Sequence, residues 1–536
     1  MDRQSVGIVL VLLCTCLGVL TKRPNIVFIL TDDQDVTMGG ETPMANTLNM
    51  IGKKGMTFQN MFTSSPLCCP SRSSILTGNY VHNHRAINNS IDGNCSSKAW
   101  QQGPEQNTFA THLKNIGYKT FFAGKYLNQY GDKAVGGVAH IPPGWDEWHG
   151  LVHNSVYYNY TLSVNGKAEV HGDDYAKDYL TDIINNRSHE FLAKQNGIFP
   201  FFAMVSTPAC HSPFDSAPQY MDEFADKKAP RDPSFNKAGM DKHWLIRHAP
   251  YPLSNASLTY IVDTFRKRWR TLLSVDDMVK NIVTTLDEIK LLDETFIIFA
   301  SDNGFHLGQF SLPNDKRQLY DFDIRVPLMI RGPGIPANSK NTDPVMNIDI
   351  MPTIIALAGE QAPSNVDGMS LVPLLIPKTN TTIKWRNGAL IEHDGEYAPG
   401  GSLDCKNTDY LYNCAPDCVC EDGFNNTYSC RRVLTKTDNT MYCEFSDDEN
   451  FQEFYNFTSD PHQLTNTIKK MTPEFLAEQN KELVKLSLCK GASCRQVHPP
   501  HEEDRDENSV IKDQSSNSAK SVKQNGILES NSVVSL

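Results

Sequence analysis

Four short apolar runs along the chain predict buried β-strands. Residues 25–30 (NIVFIL) and 295–300 (TFIIFA) are the clearest, and residues 119–123 and 201–205 have the same character. Unbroken apolar runs of this length are typical of strands that are covered on both faces. Residues 271–286 place their aliphatic side chains on one stripe, which predicts a core-facing helix. The pattern as a whole predicts an α/β fold with helices packed on a sheet.

Polar residues of catalytic type follow each of these runs. They are Asp32, Asp33, Lys125, His211, Asp302 and Asn303. In open parallel sheets, ligands collect beyond the carboxyl ends of the strands. We therefore expect these side chains to converge on one rim of the sheet.

The two oxygen-bearing pairs of this set, at 32–33 and 302–303, predict a metal site. Carboxylate and amide oxygens from two loops suit a hard divalent cation, calcium before magnesium, and do not suit zinc. Asp276 and Asp277 lie instead within the predicted helix. We interpret that pair as solvated charges or salt bridges.

The start of the chain predicts export. A charged beginning and an apolar run over residues 6–20 are typical of a cleaved secretory signal, covering residues 1–20. No later run reaches the length of a transmembrane helix, so no membrane span is expected. Eight Asn-x-Ser/Thr sites predict glycosylation. They are Asn88, Asn94, Asn159, Asn186, Asn255, Asn380, Asn425 and Asn456.

Cysteine usage agrees with an oxidising compartment. Two of the fourteen cysteines leave with the signal, and eight of the rest lie between Cys405 and Cys494, which predicts disulfides. The Cys418-x-Cys420 spacing could suggest zinc, but no paired histidines accompany it. With Cys68 set aside for chemistry, the count is odd, and Cys210 is our candidate for a free thiol.

The length and the net charge of the chain indicate how many structural units it can form and which classes of ligand it can bind. The 536 residues can form two or more structural units, and the net charge of −12 argues against nucleic-acid binding. An anionic substrate would need a local basic pocket. Residues 498–536 are polar, with too little apolar surface to order themselves, so we expect a disordered tail.

The most specific motif is Cys68-Cys69-Pro70-Ser71-Arg72, continued by residues 73–78. It has the Cys-x-Pro-x-Arg form that a maturation enzyme reads when it oxidises a cysteine to formylglycine. The alternative is that adjacent cysteines before a proline belong to a disulfide knot or turn. The whole stretch resembles the signature of the formylglycine-dependent sulfatases.

The resemblance extends over roughly residues 23–495. Blocks similar to successive sulfatase blocks stand at residues 25–33, 68–78, 117–125 and 301–334. Strings that resemble the lysosomal glucosamine-6-sulfatase branch of the family stand at residues 94–98, 121–128, 242–247 and 418–422. Residues 320–327 are also similar to the secreted heparan 6-O-endosulfatases, whose long basic insertion is absent.

The resemblance implies an alkaline-phosphatase-like fold, with a large mixed sheet sandwiched by helices. The catalytic sulfatase domain would span residues 21–375. A smaller cysteine-rich C-terminal domain with an antiparallel sheet would span residues 376–497.

The resemblance also implies the roles of individual residues. A formylglycine-generating enzyme would convert Cys68 into the nucleophile. One calcium ion would be held by Asp32, Asp33, Asp302, Asn303 and the modified Cys68. Sulfate or the formylglycine would be bound by Arg72, Lys125, His211 and Lys316. Substrate contacts would come from His306, Lys242, His243 and Arg247.

One departure from the family pattern concerns the hydrated aldehyde. Many sulfatases have Gly-Lys-Trp-His where this chain has Gly124-Lys125-Tyr126-Leu127, so the usual histidine is missing. Asn128 and His306 are the candidates to compensate.

Three functions compete at this point. The first is a lysosomal exo-sulfatase that acts on 6-sulfated N-acetylglucosamine ends of heparan or keratan sulfate fragments. The second is another hydrolase of the superfamily, either an endosulfatase or a phosphohydrolase. The third is a glycan-binding protein without catalysis, which the full set of ligands disfavours. The oligomeric state stays open, with a homodimer as one option.

Overall fold

The computed structural model describes residues 22–377, 384–396, 423 and 425–495. The predicted signal peptide (residues 1–20), Asn380, the Cys418-x-Cys420 stretch and the tail (residues 498–536) lie outside the described residues. No helix within the described ranges is both long and apolar enough to cross a membrane.

A large mixed sheet forms the centre of the molecule. Its strands are β1 Asn25–Thr31, β2 Met56–Phe62, β3 Lys119–Lys125, β4 Glu147–Leu151, β5 Thr161–Val164, β6 Lys167–Val170, β7 Phe201–Ser206, β8 Thr295–Ser301, β9 Arg325–Arg331, β10 Ser339–Asn341 and β11 Val345–Met346. The order is β10-β2-β9-β8-β1-β7-β3-β4-β5-β6, with β11 beside β2. The four strands predicted from the sequence are therefore neighbours, and they run parallel.

The sheet is covered on both faces, as the apolar runs predicted. Every residue of β1 is buried. Ile26, Phe28 and Leu30 enter one core cluster, while Val27 and Ile29 enter the other on the opposite face. Alternate side chains of a strand point to opposite faces, so a strand between two helical layers must be apolar throughout.

Helices pack on both faces of this sheet, and the last helix of the described residues packs on the smaller sheet. They are α1 Ala45–Thr47, α2 Cys68–Thr77, α3 Val81–His84, α4 Lys98–Gln102, α5 Phe109–Asn115, α6 Tyr175–Asp178, α7 Leu180–Ala193, α8 Trp244–Arg247, α9 Asn255–Glu288, α10 Asp321–Ile324, α11 Ile350–Leu357, α12 Val372–Leu375 and α13 Pro473–Ser487. The helix predicted at residues 271–286 is the second half of α9. The first half continues it because Ser254 caps its start and Ile261 and Phe265 pack into a separate cluster.

The interpretation of Asp276 as a solvated or salt-bridged charge is wrong. Its side chain is buried and accepts hydrogen bonds from the backbone N–H groups of Asn46 and Thr47, at 2.8 and 2.7 Å, and from the Thr47 hydroxyl. Asp276 therefore satisfies the start of α1, while Asp277 contacts the Tyr220 hydroxyl.

A second, antiparallel sheet follows the large one. Its strands are β12 Gly388–His393, β13 Tyr428–Leu434, β14 Asn439–Phe445 and β15 Gln452–Asn456. A disulfide joins Cys430 and Cys443, which face each other across β13 and β14. This separate sheet confirms the fold class expected from the sequence.

The other described disulfides are Cys69–Cys95 and Cys489–Cys494. Cys68 and Cys210 are the free cysteines among the described residues. The prediction that Cys210 carries a free thiol is thereby confirmed.

Candidate active site

The polar residues that follow the four parallel strands meet at one end of the sheet. Lys125, the last residue of β3, places its Nζ 2.5 Å from Asp32 Oδ2, beyond β1. The backbone N–H of Asp33 donates to Asp302 Oδ1 at 3.0 Å, which joins the loops after β1 and β8. The expected convergence is present because β8, β1, β7 and β3 are adjacent and parallel.

Cys68 opens helix α2 and points into this cluster. Its Sγ lies 3.6 Å from Asp32 Oδ1 and 3.9 Å from Asp33 Oδ1, and the residue is fully buried. Burial raises the pKa of the thiol to about 12 despite the nearby charges of Lys125 and Lys316. An unmodified Cys68 is therefore a neutral thiol and a poor nucleophile.

Arg72, one turn further along α2, holds the helix against the strand ends. Its Nε donates to Asp302 Oδ2 at 2.7 Å, and its Nη1 donates to the Lys125 carbonyl and to Ser206 Oγ, both at 2.9 Å. A guanidinium can make these bonds at once because its donors form a rigid planar fork. The Cys69–Cys95 disulfide secures the start of the same helix.

The oxygen donors of the cluster fit a divalent cation. Ligand atoms of Asp32, Cys68 and Asp302 all lie within 4.8 Å of one another. Asn303 Nδ2 lies 2.7 Å from Asp33 Oδ1, and the Asn303 Oδ1 atom is buried without a hydrogen bond to any described residue. A buried amide oxygen without a donor, beside three carboxylates, is the ligand set that a hard cation prefers.

The electrostatics of the cluster are set by burial and by its cations. Burial opposes ionisation of Asp32, yet Lys125 and Arg72 hold its pKa well below the usual value. Burial and the Asp32 charge raise the pKa of Asp302 to about 7.

Lys316 and His211 complete the basic side of the cluster. Lys316 Nζ lies 2.7 Å from Asp33 Oδ2, and His211 Nε2 lies 3.9 Å from the same oxygen. Burial, followed by the Lys316 charge, lowers the pKa of His211 to about 4, so its imidazole is neutral. The structure thus brings together all the residues predicted to bind the metal and the sulfate.

Ser155 belongs to the cluster and was missed by the sequence reasoning. It follows β4, it is buried, and its hydroxyl donates to Asp32 Oδ2. No motif marks it. The only available signal would have been its position after the strand that pairs with β3, which requires knowledge of the strand order.

His306 pairs with a buried carboxylate close to the segment that carries Lys316. Its imidazole is buried, and Nδ1 lies 3.0 Å from both carboxylate oxygens of Asp323, whose pKa burial raises to about 6. The backbone of His306 pairs with Asp315, next to Lys316. His306 therefore supports the segment that carries Lys316.

Lys242, His243 and Arg247, which were expected to contact the substrate, make their described contacts with the small sheet and the loop between its last two strands. Lys242 Nζ donates to the Tyr455 hydroxyl at 2.8 Å. The same nitrogen lies 4.4 Å from the centre of the Phe310 ring. His243 Nε2 lies 2.7 Å from Asp447, and Arg247 pairs with Glu449. The structure assigns these three side chains to the contact with the small sheet.

Asn128, one of the two candidates to compensate for the missing histidine, directly follows Leu127 in the chain. Leu127, at the position of that histidine, is buried in the core. The side-chain amide of Asn128 donates to Asn154 Oδ1 at 3.2 Å, and the backbone carbonyl of Asn128 accepts from the Ser96 hydroxyl.

The sequons differ in accessibility. Asn159, Asn186, Asn255 and Asn456 are exposed, and Asn94 and Asn425 are half-buried. Asn88 is only 6% exposed, and its Oδ1 accepts from the backbone and hydroxyl of Ser90. Its burial argues against a glycan at that position.

Comparison with known proteins agrees with this geometry. A family model described as Sulfatase matches residues 24–360. The N-acetylglucosamine-6-sulfatase of Homo sapiens is 50% identical over 499 residues, which cover 92% of this chain and 90% of that protein. The extracellular sulfatase SULF-1 homolog of Drosophila melanogaster is 43% identical over 380 residues, covering 70% of this chain and 33% of that protein.

Solved structures share the fold. One, a protein in complex with its substrate D-glucosamine-2-N,6-O-disulfate, has a TM-score of 0.69 at 24% identity and covers 87% of this chain and 97% of its own. Another, a phosphonate monoester hydrolase from Silicibacter pomeroyi, has a TM-score of 0.64 at 19% identity and covers 86% and 94%. The fold is the alkaline-phosphatase-like one, and the chain belongs to the sulfatases, a family of sulfuric ester hydrolases.

Proposed function

We propose that this protein is a lysosomal exo-sulfatase that hydrolyses the 6-sulfate ester of terminal N-acetylglucosamine 6-sulfate in heparan and keratan sulfate fragments. The observation that carries the proposal is the complete cluster around Cys68, in a chain 50% identical to N-acetylglucosamine-6-sulfatase over nine-tenths of its length. The predicted signal and the accessible sequons support the lysosomal route.

The nucleophile would be a formylglycine made from Cys68 by the formylglycine-generating enzyme. The Cys-x-Pro-x-Arg motif supports this, and so does the raised pKa of the buried thiol, which leaves the unmodified side chain inert. A hydrated aldehyde at this position supplies a geminal diol, which no encoded side chain offers: one hydroxyl can attack sulfur, and the second can then drive elimination of sulfate.

The metal would be one calcium ion, held by Asp32, Asp33, Asp302, Asn303 and residue 68. The Cys68 sulfur stands where an oxygen of the modified residue would sit. A bound divalent cation polarises an oxygen of the sulfate ester. The donor set is made of oxygens, and the unsatisfied Asn303 Oδ1 supports its use as a ligand.

The protein's own side chains would bind the sulfuryl group and manage its charge. Lys125 and Lys316 are buried ammonium groups whose partners, Asp32 and Asp33, lie on the metal side of the cluster. Buried cations stabilise charge that shifts during transfer, because little water screens them.

His211 is the group placed to move a proton. Its Nδ1 lies 2.7 Å from the Ser212 carbonyl, so Nδ1 carries the hydrogen in the neutral ring. Nε2, the atom facing the cluster, then has the lone pair, so it can accept a proton from a hydroxyl group bound there, but it has no proton of its own to give to the departing sugar oxygen.

A panel of defined substrates tests the proposal. We expect sulfate release at acidic pH from terminal N-acetylglucosamine 6-sulfate, with little release from internal 6-sulfates or 4-sulfated galactosamine. Preference for internal 6-sulfates would favour an endosulfatase instead. Faster cleavage of phosphate monoesters would favour a phosphohydrolase. An aldehyde-reactive probe and mass mapping of the Cys68 peptide test the nucleophile separately, since an intact thiol in fully active protein would refute it.

A further inference from the structure

Arg268 is a buried guanidinium group that contacts the loops carrying the catalytic residues. It lies in α9, and only 2% of its surface is exposed. Its Nη2 donates to the Asp33 backbone carbonyl at 2.7 Å and to Asp35 Oδ1 at 2.8 Å. Both acceptors belong to the loop after β1, so this loop is bound directly to α9.

The same side chain also contacts the loops after β7 and β8. The guanidinium carbon lies 4.0 Å from the centre of the Phe305 ring, and Phe305 follows Asn303 by two residues. Nη1 lies 3.5 Å from the backbone carbonyl of Cys210, the residue before His211. A guanidinium can make these contacts together because it donates hydrogen bonds from its edge and lies on an aromatic ring with its face. Three loops of the active site therefore share one partner.

The backbone conformation of Asp33 explains why this partner matters. Its φ of +60° lies in the left-handed region, which is unfavourable for a residue with a Cβ atom. In this conformation its N–H donates to Asp302 Oδ1 at 3.0 Å, and its carboxylate faces Cys68 and Lys316. The bond from Arg268 fixes the direction of the Asp33 carbonyl, so it stabilises the conformation that the cluster requires.

The charge of Arg268 is balanced by a buried carboxylate. Its ion-pair partner Asp35 is buried as well, and the pair adds no net charge beside the cluster. Asp35 Oδ2 also accepts from the Met38 N–H at 2.7 Å, which fixes the carboxylate. What the pair can supply to the site is therefore orientation, as residues behind metal ligands commonly do.

We propose that Arg268 is a positioning residue for sulfate-ester hydrolysis, which fixes the loops so that Asp33 and Asn303 hold their oxygens in place for the cation. This inference rests on the calcium site of the proposed function and adds a residue that orients it from outside. Lysine at this position would keep the charge. A single ammonium group cannot, however, bind the Asp33 carbonyl, pair with Asp35 and lie over the Phe305 ring at once.

The test compares Arg268→Lys with Arg386→Lys in full-length protein from which bound metal has been removed with a chelator. Arg386 is also buried, and it binds Asp349 through two hydrogen bonds, of 2.6 and 2.7 Å, outside the three loops. Both variants should lower the melting temperature. Calorimetric titration with calcium chloride should show weaker binding, by roughly 10-fold to 100-fold, in Arg268→Lys alone.

The hydrolysis of a small aryl sulfate gives a second measurement. At stoichiometric calcium, kcat of Arg268→Lys should fall about tenfold or more, while KM changes much less, because the sulfate-binding side chains are unchanged. Excess calcium should restore most of the rate, since a bound cation holds its own ligands together. A protein that has only lost stability would not recover in this way.

Asp35→Asn tests the same link if Arg268→Lys does not fold. It keeps an oxygen that can accept from Arg268 but removes the charge that holds the guanidinium, so calcium binding should again weaken. The double variant should bind calcium no more weakly than Arg268→Lys alone, because the two residues act as one unit.

Three results would overturn the inference. The first is wild-type calcium affinity in Arg268→Lys or, should that variant not fold, in Asp35→Asn. The second is equal weakening in Arg268→Lys and Arg386→Lys, and the third is a rate that excess calcium does not restore. In each case the wild-type protein still binds calcium and releases sulfate, so the proposed function stands. Sulfate release by wild-type protein without any bound divalent cation would instead refute the proposed calcium site, and this inference with it.

Discussion

The two free thiols among the described residues have the same side chain and similar burial but different neighbours. Cys68 and Cys210 are both buried, and burial raises the pKa of each to about 12. Cys68 faces Asp32 and Asp33, with Lys125 and Lys316 close by, whereas Cys210 Sγ contacts the Asp33 carbonyl. In the proposed function, Cys68 gains its reactivity from conversion to formylglycine, and no such modification is proposed for Cys210.

Replacing these cysteines separates the two roles. Cys68→Ala should abolish sulfate release and shift the melting temperature by only a few degrees, because one small buried side chain is shortened. Cys210→Ala, the matched control, should keep most of the activity. Turnover with each sulfated substrate and thermal unfolding are the measurements. Sulfate release by Cys68→Ala at a rate close to that of the wild type would contradict the assignment of the nucleophile.

A second residue-scale prediction concerns the cation. Asp302→Asn keeps the oxygen that accepts from Asp33 and Asn303 but removes the anionic charge, so bound calcium and nearly all activity should be lost. Asp277→Asn, in the middle of α9, should keep both. Elemental analysis of the purified variants measures the metal. Stoichiometric zinc in the wild-type protein, with no calcium or magnesium, would reject the assignment.

Functional residues could be predicted from the sequence where they belong to a recognisable motif. The Cys68 motif and the acidic pairs after β1 and β8 are of this kind. Ser155 could not be found because its contact with Asp32 depends on β4 lying beside β3. The contacts of Lys242 with Tyr455 could not be found either, because a shared string identifies a family but does not give a position in space, and the expected substrate contact of this stretch stays a prediction.

At the scale of elements, apolar runs predicted the four central strands but neither their neighbours nor the ends of the helices. β9 lies antiparallel between β2 and β8, and nothing in its own sequence reveals that direction. α9 extends well before residue 271 because its first half packs into a different cluster. Strand direction and helix extent are thus set by tertiary packing, which a local pattern does not contain.

The corrected role of Asp276 gives a prediction about element stability. Asp276→Ala should lower the free energy of unfolding by roughly 2–4 kcal/mol, because three buried donors at the start of α1 lose their acceptor. Asp277→Ala should cost less than about 1 kcal/mol, since that side chain is only partly buried. Urea unfolding followed by circular dichroism compares the two. Equal losses would show that Asp276 does not hold α1.

At the scale of the whole molecule, the small sheet helps to build the active site. The Tyr428 hydroxyl donates to the Arg317 carbonyl at 2.9 Å, directly after Lys316 in the chain. Glu453 of β15 accepts from the Tyr320 hydroxyl at 3.1 Å. The segment that presents Lys316 to the cluster is therefore held from the C-terminal side. The domain boundary at 375–376 remains a prediction, but the parts on either side of it act together.

A histidine joins the same two parts and makes their contact sensitive to pH. His82 of α3 places Nδ1 3.0 Å from both carboxylate oxygens of Glu392 in β12, and Nε2 2.9 Å from the Cys489 carbonyl. Nδ1 faces the Glu392 carboxylate, while Nε2 faces the Cys489 carbonyl and also the Asn83 amide nitrogen at 3.1 Å, so each ring nitrogen has an acceptor available when both are protonated. Asp367 and Asn83 lie beside it, and the Tyr80 ring stacks on it. Burial opposes the charge, yet Glu392 raises the pKa of His82 above its usual value.

The sign of the pH dependence follows from that direction. Because the folded pKa of His82 is raised, its stabilising contribution is fully present below the unfolded pKa of about 6.5 and is lost as the pH rises through the folded value. His82→Gln should therefore destabilise the protein more at pH 5 than at pH 8, which agrees with the lysosomal location proposed above. Urea unfolding at both pH values measures this, with His189→Gln as the control, since His189 contacts the neutral Thr285 hydroxyl and has no ion pair with a described residue. A loss of stability in His82→Gln that is the same at both pH values would mean that the ring acts here as a neutral hydrogen-bonding group, and the contact between the two parts would then not be acid-dependent.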